Sequence, residues 1–272
     1  MSKLLLASAA LVTLAANPVL AAKAPVMVPI YNWTGLYIGG NIGWSFGNAN
    51  TDWTIAGVPF GSTSQTMDGI LGGLQAGYNW QLGNLVLGLE SDIQATAQKG
   101  SSSLIDSIAA IPAIPGIPCV NIDGPNTPCI PGTGTPGTPG VPGVTGVANN
   151  EIKLPWFGTV RSRLGFTPSD RWLVYATGGF AYGEIDSNTT LSTGAASLSM
   201  SSSSIRLGLA VGGGIEWAFW EQWTTKVEYL YVDFGTINIS FAGIAPFTPI
   251  TTSTHVTDNI IRFGVNHRFG GR

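Results

Sequence analysis

Charged residues are scarce in this chain. They make up 10% of its 272 residues, whereas about a quarter is usual in soluble domains, and Gly occurs at 37 positions, about twice its usual share. A soluble domain of this length would be short of charged surface. The formal net charge of −3 also leaves no basic face that could neutralise phosphates, so nucleic acid is excluded as a partner.

Long hydrophobic runs are missing as well, except at the start of the chain. A lysine precedes an apolar run over residues 4–14, and Val19 and Ala21 follow at the small-residue spacing that signal peptidase reads. We therefore predict a signal peptide over residues 1–21 and a mature domain over residues 22–272. No later stretch reaches the roughly 18 uncharged apolar residues of a membrane helix, so the sequence predicts none in the mature chain.

A period-two alternation is present instead. Residues 34–47, TGLYIGGNIGWSFG, place Leu, Ile, Trp and Phe on one face and small or polar residues on the other. About ten such residues are what a tilted strand needs to cross a bilayer. The alternation returns in seven further segments, at residues 69–80, 85–97, 154–166, 172–185, 205–219, 223–234 and 259–269. The sequence therefore predicts an all-β fold, an eight-stranded antiparallel up-and-down transmembrane β-barrel.

The connections between these segments alternate in length. Long ones span residues 48–68, 98–153, 186–204 and 235–258, and short ones span residues 81–84, 167–171 and 220–222. Barrels of the bacterial outer membrane have short periplasmic turns and long external loops, and an even number of strands leaves both termini in the periplasm. We therefore expect a bacterial outer-membrane protein with periplasmic termini, whose largest external loop is residues 98–153.

Aromatic residues are expected at both membrane interfaces of such a barrel. Trp44 and Trp156 fall near the external end, and six further tryptophans fall toward the periplasmic end, at Trp33, Trp80, Trp172, Trp217, Trp220 and Trp223. A soluble lipocalin-type barrel, with its apolar faces inside, would show the same alternation, and the pattern alone does not separate the two. Export and the scarcity of charge favour the membrane barrel.

Charges at alternate positions of apolar strands need a polar interior. Eight charged residues are predicted to face the lumen: Glu90, Asp92, Arg161, Arg163, Glu216, Lys226, Glu228 and Arg262. Acids and bases are balanced, as expected if desolvated charges must be paired. Because side chains nearly fill a bore of eight strands, we expect these residues to cross-brace the wall, with Glu90 meeting Arg161 and Glu216 meeting Lys226.

Cysteine is another rare residue and offers one candidate link. Cys119 and Cys129 are the only two cysteines, and in an oxidising compartment we expect them to form a disulfide that staples the loop. A metal site would want further ligands, and the region offers only Asp106 and Asp123. A structural disulfide is therefore favoured over a metal site.

The two histidines are the candidates for acid–base catalysis. His267 falls on the lipid face near the periplasmic end, and His255 lies in the last external loop close to Asp258. Neither position joins a histidine to a firmly held Ser or carboxylate at the external rim, so we expect no enzyme activity and no cofactor.

Four segments carry a family resemblance. They are NWTGLYIGGN at residues 32–41, YATGGFAYG at 175–183, KVEYLYVDFG at 226–235 and IRFGVNHRF at 261–269. With these segments the chain resembles the small alphaproteobacterial outer-membrane immunogenic, porin-like proteins. The resemblance implies an eight-stranded barrel, related in architecture to the opacity proteins and to the membrane domain of OmpA. It also implies that the terminal aromatic Phe269 is the signal for the barrel-insertion machinery.

The resemblance and the braced interior together favour a function without catalysis. We expect a barrel that supports envelope integrity and surface interaction. Two alternatives stay open, a narrow porin-like channel for small solutes and the binding of a surface ligand of haem type through the external loops. The expected partners are outer-membrane lipid and lipopolysaccharide, the barrel-insertion machinery, and host or surface ligands.

Overall fold

A closed ring of eight strands forms the fold. The computed structural model describes residues 31–55, 57–108, 144–193, 196–241 and 250–269. The strands are β1 (Gly35–Ile55), β2 (Val58–Leu82), β3 (Leu85–Ile108), β4 (Val144–Ser169), β5 (Trp172–Thr193), β6 (Ala196–Ala218), β7 (Trp223–Phe241) and β8 (Ile250–Phe269). Each pairs antiparallel with the next, and β8 pairs with β1. The predicted eight-stranded up-and-down barrel is confirmed. Among the described residues, no helix is long and apolar enough to cross a membrane.

The outer surface of the barrel is apolar, as the alternation predicts. On β6, Leu207 is 78% exposed and Leu209 is 61% exposed, whereas the neighbouring Ala210 is buried. On β5 two alternations compete in the sequence, and the one with Trp172 outward is favoured over the one with Leu173 outward. In the structure Trp172 is exposed and Leu173 is buried. Because successive side chains of a strand point to opposite faces, every strand contributes one apolar stripe to the outside and one stripe to the lumen.

The two ends of the barrel differ. Short turns at residues 83–84, 170–171 and 219–222 lie at one end, which we call the turn end, and the opposite end is the extended end. At the extended end the strands run well past the predicted boundaries. Within the predicted loop 48–68, residues 48–55 and 58–68 belong to the extended-end parts of β1 and β2, paired from Asn48 with Thr66 to Ile55 with Val58.

The other predicted long loops are shortened in the same way. The segments that are strand rather than loop are residues 98–108, 144–153, 186–193, 196–204, 235–241 and 250–258. Their outward faces are mostly polar, with Ile105 as an exposed apolar exception, so the apolar alternation stops although the ladder continues. The inward face continues as well, since Thr252 and Thr254 of β8 are buried. Cys119 and Cys129, in the remainder of the predicted largest loop, and the predicted signal peptide lie outside the described residues.

The exposed apolar side chains of the outer surface, such as Leu207 and Leu209 of β6, form what we call the apolar belt. Toward the extended end, beyond this belt, the barrel separates into two four-stranded sheets. The ladder between β2 and β3 ends at Asp68 and Lys99, and the ladder between β6 and β7 ends at Leu209 and Asp233. One sheet therefore contains β3 to β6, and the other contains β7, β8, β1 and β2. Trp53 of the second sheet packs against side chains of the first, namely Leu191, Leu104, Ala148 and Met200.

Aromatic side chains form a ring around the turn end, as predicted, except that Trp33 does not belong to it. The exposed tryptophans there are Trp80, Trp172, Trp217, Trp220 and Trp223, and Trp44 is exposed toward the extended end. Trp33, predicted for the same ring, is instead 0% exposed and lies inside the turn end of the barrel. It precedes β1, so strand alternation does not fix its direction, and burial of its large apolar surface decides the outcome.

The lumen is filled by three successive layers. Nearest the turn end lie Tyr31, Trp33, Val86, Leu173, Tyr175 and Ala218, which pack together. The eight predicted lumen charges follow, and we call them the charge layer. Beyond them lies the apolar layer, formed by Ala49, Met67, Leu71, Ile152, Leu154, Phe157, Ala181, Ile185, Ala210, Leu230, Val232, Phe234, Ile237, Val256 and Ile260.

Candidate functional site

The charge layer is organised around Glu90 of β3. Arg161 Nη2 lies 2.6 Å from Glu90 Oε1, and Lys226 Nζ lies 2.8 Å from Glu90 Oε2. Arg163 Nη1 approaches the same Oε2 to 3.3 Å. The predicted contact between Glu90 and Arg161 is therefore formed, and it joins residues directly opposite each other on β3 and β4.

A second set of contacts links β7 and β8, on the opposite wall of the barrel, to Arg161 and Asp92. Arg161 Nη1 lies 3.0 Å from Glu228 Oε1, and its Nη2 lies 2.9 Å from Asp92 Oδ2. Arg262 Nη2 bridges the same two acids, at 2.5 Å from Glu228 Oε2 and 2.9 Å from Asp92 Oδ2. These side chains are 0% exposed, so the network spans the bore from β3 and β4 to β7 and β8.

The predicted contact between Glu216 and Lys226 is wrong. Glu216 and Lys226 are opposite each other in the ladder between β6 and β7, but among the described residues no salt bridge joins them. Glu216 binds Arg163 Nη2 at 2.7 Å, and Lys226 reaches Glu90. Long side chains that start at neighbouring positions can extend across a narrow bore, so ladder register alone does not select their partners.

Two tyrosines contact the charge layer, namely Tyr37 and Tyr175, of which Tyr175 belongs to the layer nearest the turn end, and neither was predicted. The Tyr37 hydroxyl donates to Glu90 Oε2 at 2.7 Å and accepts from Arg163 Nη1 at 2.8 Å. The Tyr175 hydroxyl donates to Glu228 Oε1 at 3.1 Å, and the Arg163 guanidinium carbon lies 3.9 Å from the centre of the Tyr175 ring. Both tyrosines lie at inward positions of the strand alternation, so the sequence could have indicated that they face the lumen.

Glycines make room for these tyrosines. A Cβ placed on Gly77 would lie 2.4 Å from the Tyr37 hydroxyl, and one on Gly214 would lie 2.7 Å from the Tyr175 hydroxyl. The high glycine content of the inward faces therefore lets large polar side chains cross the bore.

The apolar layer was not predicted either, because the inward charges led to the expectation of a polar interior, in which Leu71 of β2 was the exception noted on its strand. On β7 the inward side changes from Lys226 and Glu228 to Leu230 and Phe234, and on β4 it changes from Arg161 to Phe157. The Phe157 and Phe234 rings meet edge to face with centres 6.4 Å apart. A signal was present in the sequence, since apolar and aromatic residues occupy both faces of β7 over residues 229–232.

The segment before β1 closes the turn end. Arg268 Nη2 donates to the carbonyl oxygens of Asn32 at 2.5 Å and Thr34 at 2.8 Å. Its guanidinium carbon also lies 4.8 Å from the Tyr31 ring centre and 5.9 Å from the Trp33 ring centre. Burial raises the pKa of the Tyr31 hydroxyl, although the Arg268 charge opposes this shift. The last strand thus holds the N-terminal segment inside the barrel.

The remaining candidate residues do not form a catalytic arrangement. His255 Nε2 lies 3.6 Å from Asp233 Oδ1 on the exposed side of the wall, whereas Asp258 is buried in the lumen, where Ser45 Oγ and Gln98 Nε2 donate to it. His267 is on the outer face, between the rings of Trp223 and Phe269. Phe269 ends β8 and is exposed. Within the described residues, no group of three or more His, Cys, Asp or Glu could hold a metal ion.

Comparison with known proteins gives concordant matches. The family described as outer membrane protein beta-barrel domain matches residues 7–269. The 31 kDa outer-membrane immunogenic protein of Brucella melitensis is 34% identical over 255 residues, which cover 91% of this chain and 89% of that protein. The 22 kDa outer membrane protein of Rhizobium leguminosarum bv. viciae is 27% identical over 214 residues, covering 79% of this chain and 70% of that protein.

Among solved structures, the chain is similar to the outer membrane protein OprG from Pseudomonas aeruginosa. The two are 12% identical, the match covers 88% of this chain and 99% of that chain, and the TM-score is 0.47.

Proposed function

The chain belongs to the outer membrane protein beta-barrel domain family, and from that premise we propose that it is a closed, non-enzymatic barrel supporting envelope integrity. The observation that carries this proposal is the filled lumen, in which the charge layer and the apolar layer follow one another along the bore. A solute would have to displace a salt-bridged network and then a packed apolar core. Both steps are costly, because buried ion pairs and close-packed side chains resist rearrangement.

The same arrangement weighs against the alternative of a narrow porin-like channel. Water-filled channels are typical of larger barrels, whereas side chains fill an eight-stranded bore. Acids and bases in the charge layer are equal in number, four of each, so no net charge is available to attract an ion of one sign. The proposed role is therefore to support the envelope and to interact at the cell surface, and not to conduct solutes.

In the proposed orientation the turn end faces the periplasm and the extended end faces outward. The apolar belt then contacts outer-membrane lipid and lipopolysaccharide, and Phe269 at the end of β8 is available to the barrel-insertion machinery. The hydroxyl-rich extensions of the strands stand beyond the belt, where they offer a surface for host or surface ligands.

Deletion of the gene in its native host tests this function. We expect the deletion strain to leak periplasmic proteins and to become sensitive to detergent, because a barrel that supports the envelope is lost, while uptake of small sugars and amino acids stays unchanged. A plasmid copy of the wild-type gene should restore detergent resistance. An intact envelope combined with reduced uptake of a small solute would reject the structural role and support a channel.

A further inference from the structure

One buried acid of the lumen lies outside the charge layer. Asp258, on the inward face of β8, is 1% exposed and lies opposite Gly47 of β1 and Val232 of β7 in the two ladders that β8 forms. The next inward residues along β8 in each direction, Val256 and Ile260, belong to the apolar layer. The Asp258 carboxyl group is therefore placed among apolar side chains and away from water.

Two neutral side chains contact this carboxyl group. Ser45 Oγ donates to Asp258 Oδ1, and Gln98 Nε2 donates to Asp258 Oδ2 at 2.7 Å. Ser45 and Gln98 are both buried. Neutral donors satisfy lone pairs of the carboxyl oxygens, but they bring no positive charge to balance an ionised carboxylate.

Within the described residues, no base forms a salt bridge with Asp258, whereas Glu90 of the charge layer contacts Arg161, Arg163 and Lys226. The other inward bases are engaged elsewhere: Arg262 with Glu228 and Asp92, Arg206 with Ser204, and Arg268 with the carbonyl groups of Asn32 and Thr34. The charged residues beside Asp258 on its own and neighbouring strands point to the outer face, namely Asp52, Asp68, Lys99, Asp233 and His255.

The surroundings of Asp258 suit a neutral carboxyl group. Burial of an unpaired carboxylate is costly, and a group in such a place takes up a proton instead of keeping its charge. Both contacts survive protonation, because a hydroxyl accepts as well as donates. The protonated Oδ1 can donate to Ser45 Oγ while Gln98 Nε2 continues to donate to Oδ2.

We propose that Asp258 is a proton-binding switch in the lumen. In mildly acidic surroundings, where an aspartate in water is ionised, Asp258 keeps its proton in the folded barrel, and it releases this proton as the pH rises further. Ionisation then places an uncompensated charge inside the apolar layer and weakens the folded barrel. The switch depends only on the lumen contacts, so purified protein can test it whether or not the barrel supports the envelope.

The direction of the pH dependence follows from the two states of the chain. An aspartate in the unfolded chain loses its proton near about pH 4. Above that pH the folded protein binds one proton more at Asp258 than the unfolded chain does. The contribution of Asp258 to stability therefore falls as the pH rises above about 4, until Asp258 of the folded protein ionises as well.

Urea unfolding in lipid vesicles at pH 5 and pH 8 compares the wild type with Asp258→Asn, whose amide is neutral at both pH values. The equilibrium constant for unfolding of the wild type, relative to that of Asp258→Asn, should rise about tenfold between pH 5 and pH 8. That is the change for one pH unit over which only the folded state holds the proton. Asp52→Asn replaces an exposed aspartate of β1 and is the matched control, with the same pH dependence as the wild type.

Infrared spectroscopy detects the proton itself. At pH 5 the difference spectrum between the wild type and Asp258→Asn should contain the carbonyl stretch of a protonated carboxyl group, and at pH 8 this band should be gone. Heat-modifiable migration on a denaturing gel checks that the variant is folded. If it is not, titration of the wild type alone gives the answer, because exposed carboxyl groups lose the band near about pH 4 and Asp258 should add a separate step at higher pH.

The proposal is overturned if the difference spectrum at pH 5 shows a carboxylate and no protonated carboxyl group, or if the wild-type titration is complete near about pH 4. Equal pH dependence of unfolding for the wild type and Asp258→Asn would overturn it as well, because no proton at this position would then be coupled to folding.

Discussion

Arg161→Ala should lower the free energy of unfolding by about 3 to 5 kcal/mol, the usual cost of removing one partner from a buried ion network. Arg161 binds Glu90, Asp92 and Glu228 at 2.6, 2.9 and 3.0 Å, with side chains that are 0% exposed. Its removal leaves these three carboxylates in the lumen with one base fewer. Equilibrium unfolding by urea in lipid vesicles, followed by tryptophan fluorescence, measures the change.

Two further variants separate the network from a general effect of losing an arginine. Arg171→Ala removes an exposed side chain at the turn end and should change the free energy of unfolding by less than about 0.5 kcal/mol. Adding Glu228→Gln to Arg161→Ala restores the balance of acids and bases, so the double variant should be more stable than the sum of the two single changes predicts. A loss below about 1 kcal/mol for Arg161→Ala would show that water fills the lumen and compensates the charges.

Val211→Arg should destabilise the protein by about 2 to 4 kcal/mol, the cost of an arginine at the midplane on the lipid face of a barrel. Val211 is 53% exposed and lies midway along β6 between Ile205 and Trp217, which are also exposed. The guanidinium would therefore be placed in hydrocarbon. The same unfolding measurement in lipid vesicles gives the value.

Ser201→Arg is the matched control for this change. Ser201 lies on the same face of the same strand, beyond the apolar belt, so its replacement should cost less than about 1 kcal/mol. Equal losses for the two arginines would mean that position along β6 does not set depth in the bilayer, and the lipid-facing assignment of β6 would be wrong.

The membrane-spanning part of the fold could be predicted because lipid demands an apolar side chain at every second position. That demand gives one direction for Leu209 and Ala210 on β6, which the structure confirms. On β5 two alternations compete in the sequence, and the structure confirms the favoured one, with Trp172 outward and Leu173 inward. The demand ends at the membrane surface. The strand extensions, such as residues 48–55 and 58–68, carry polar residues on their outward face and were therefore read as loops. The family resemblance, drawn from four short segments, is confirmed by the match over residues 7–269.

The lumen could be predicted in membership but not in detail. The alternation of inward and outward positions along each strand was enough to select the eight charged residues, and all of them lie buried in the bore. Parity could not choose partners, because Arg163 and Lys226 extend past their ladder neighbours to reach Glu216 and Glu90. It also gave no direction for Trp33, which precedes the first strand. The apolar layer was not predicted because many of its members, such as Ala49, Met67 and Val256, lie in strand extensions that were read as loops, so no inward direction was assigned to them.

Conductance of the purified protein in a planar lipid bilayer tests most directly the claim that the lumen is closed. Wild-type protein should give no steady conductance above that of the bare bilayer, and a general porin reconstituted in the same way serves as the positive control. Folded Arg161→Ala should also stay closed, because Phe157 and the rest of the apolar layer still fill the bore. Large, stable channels from the wild-type protein would contradict the closed lumen and make the barrel a channel.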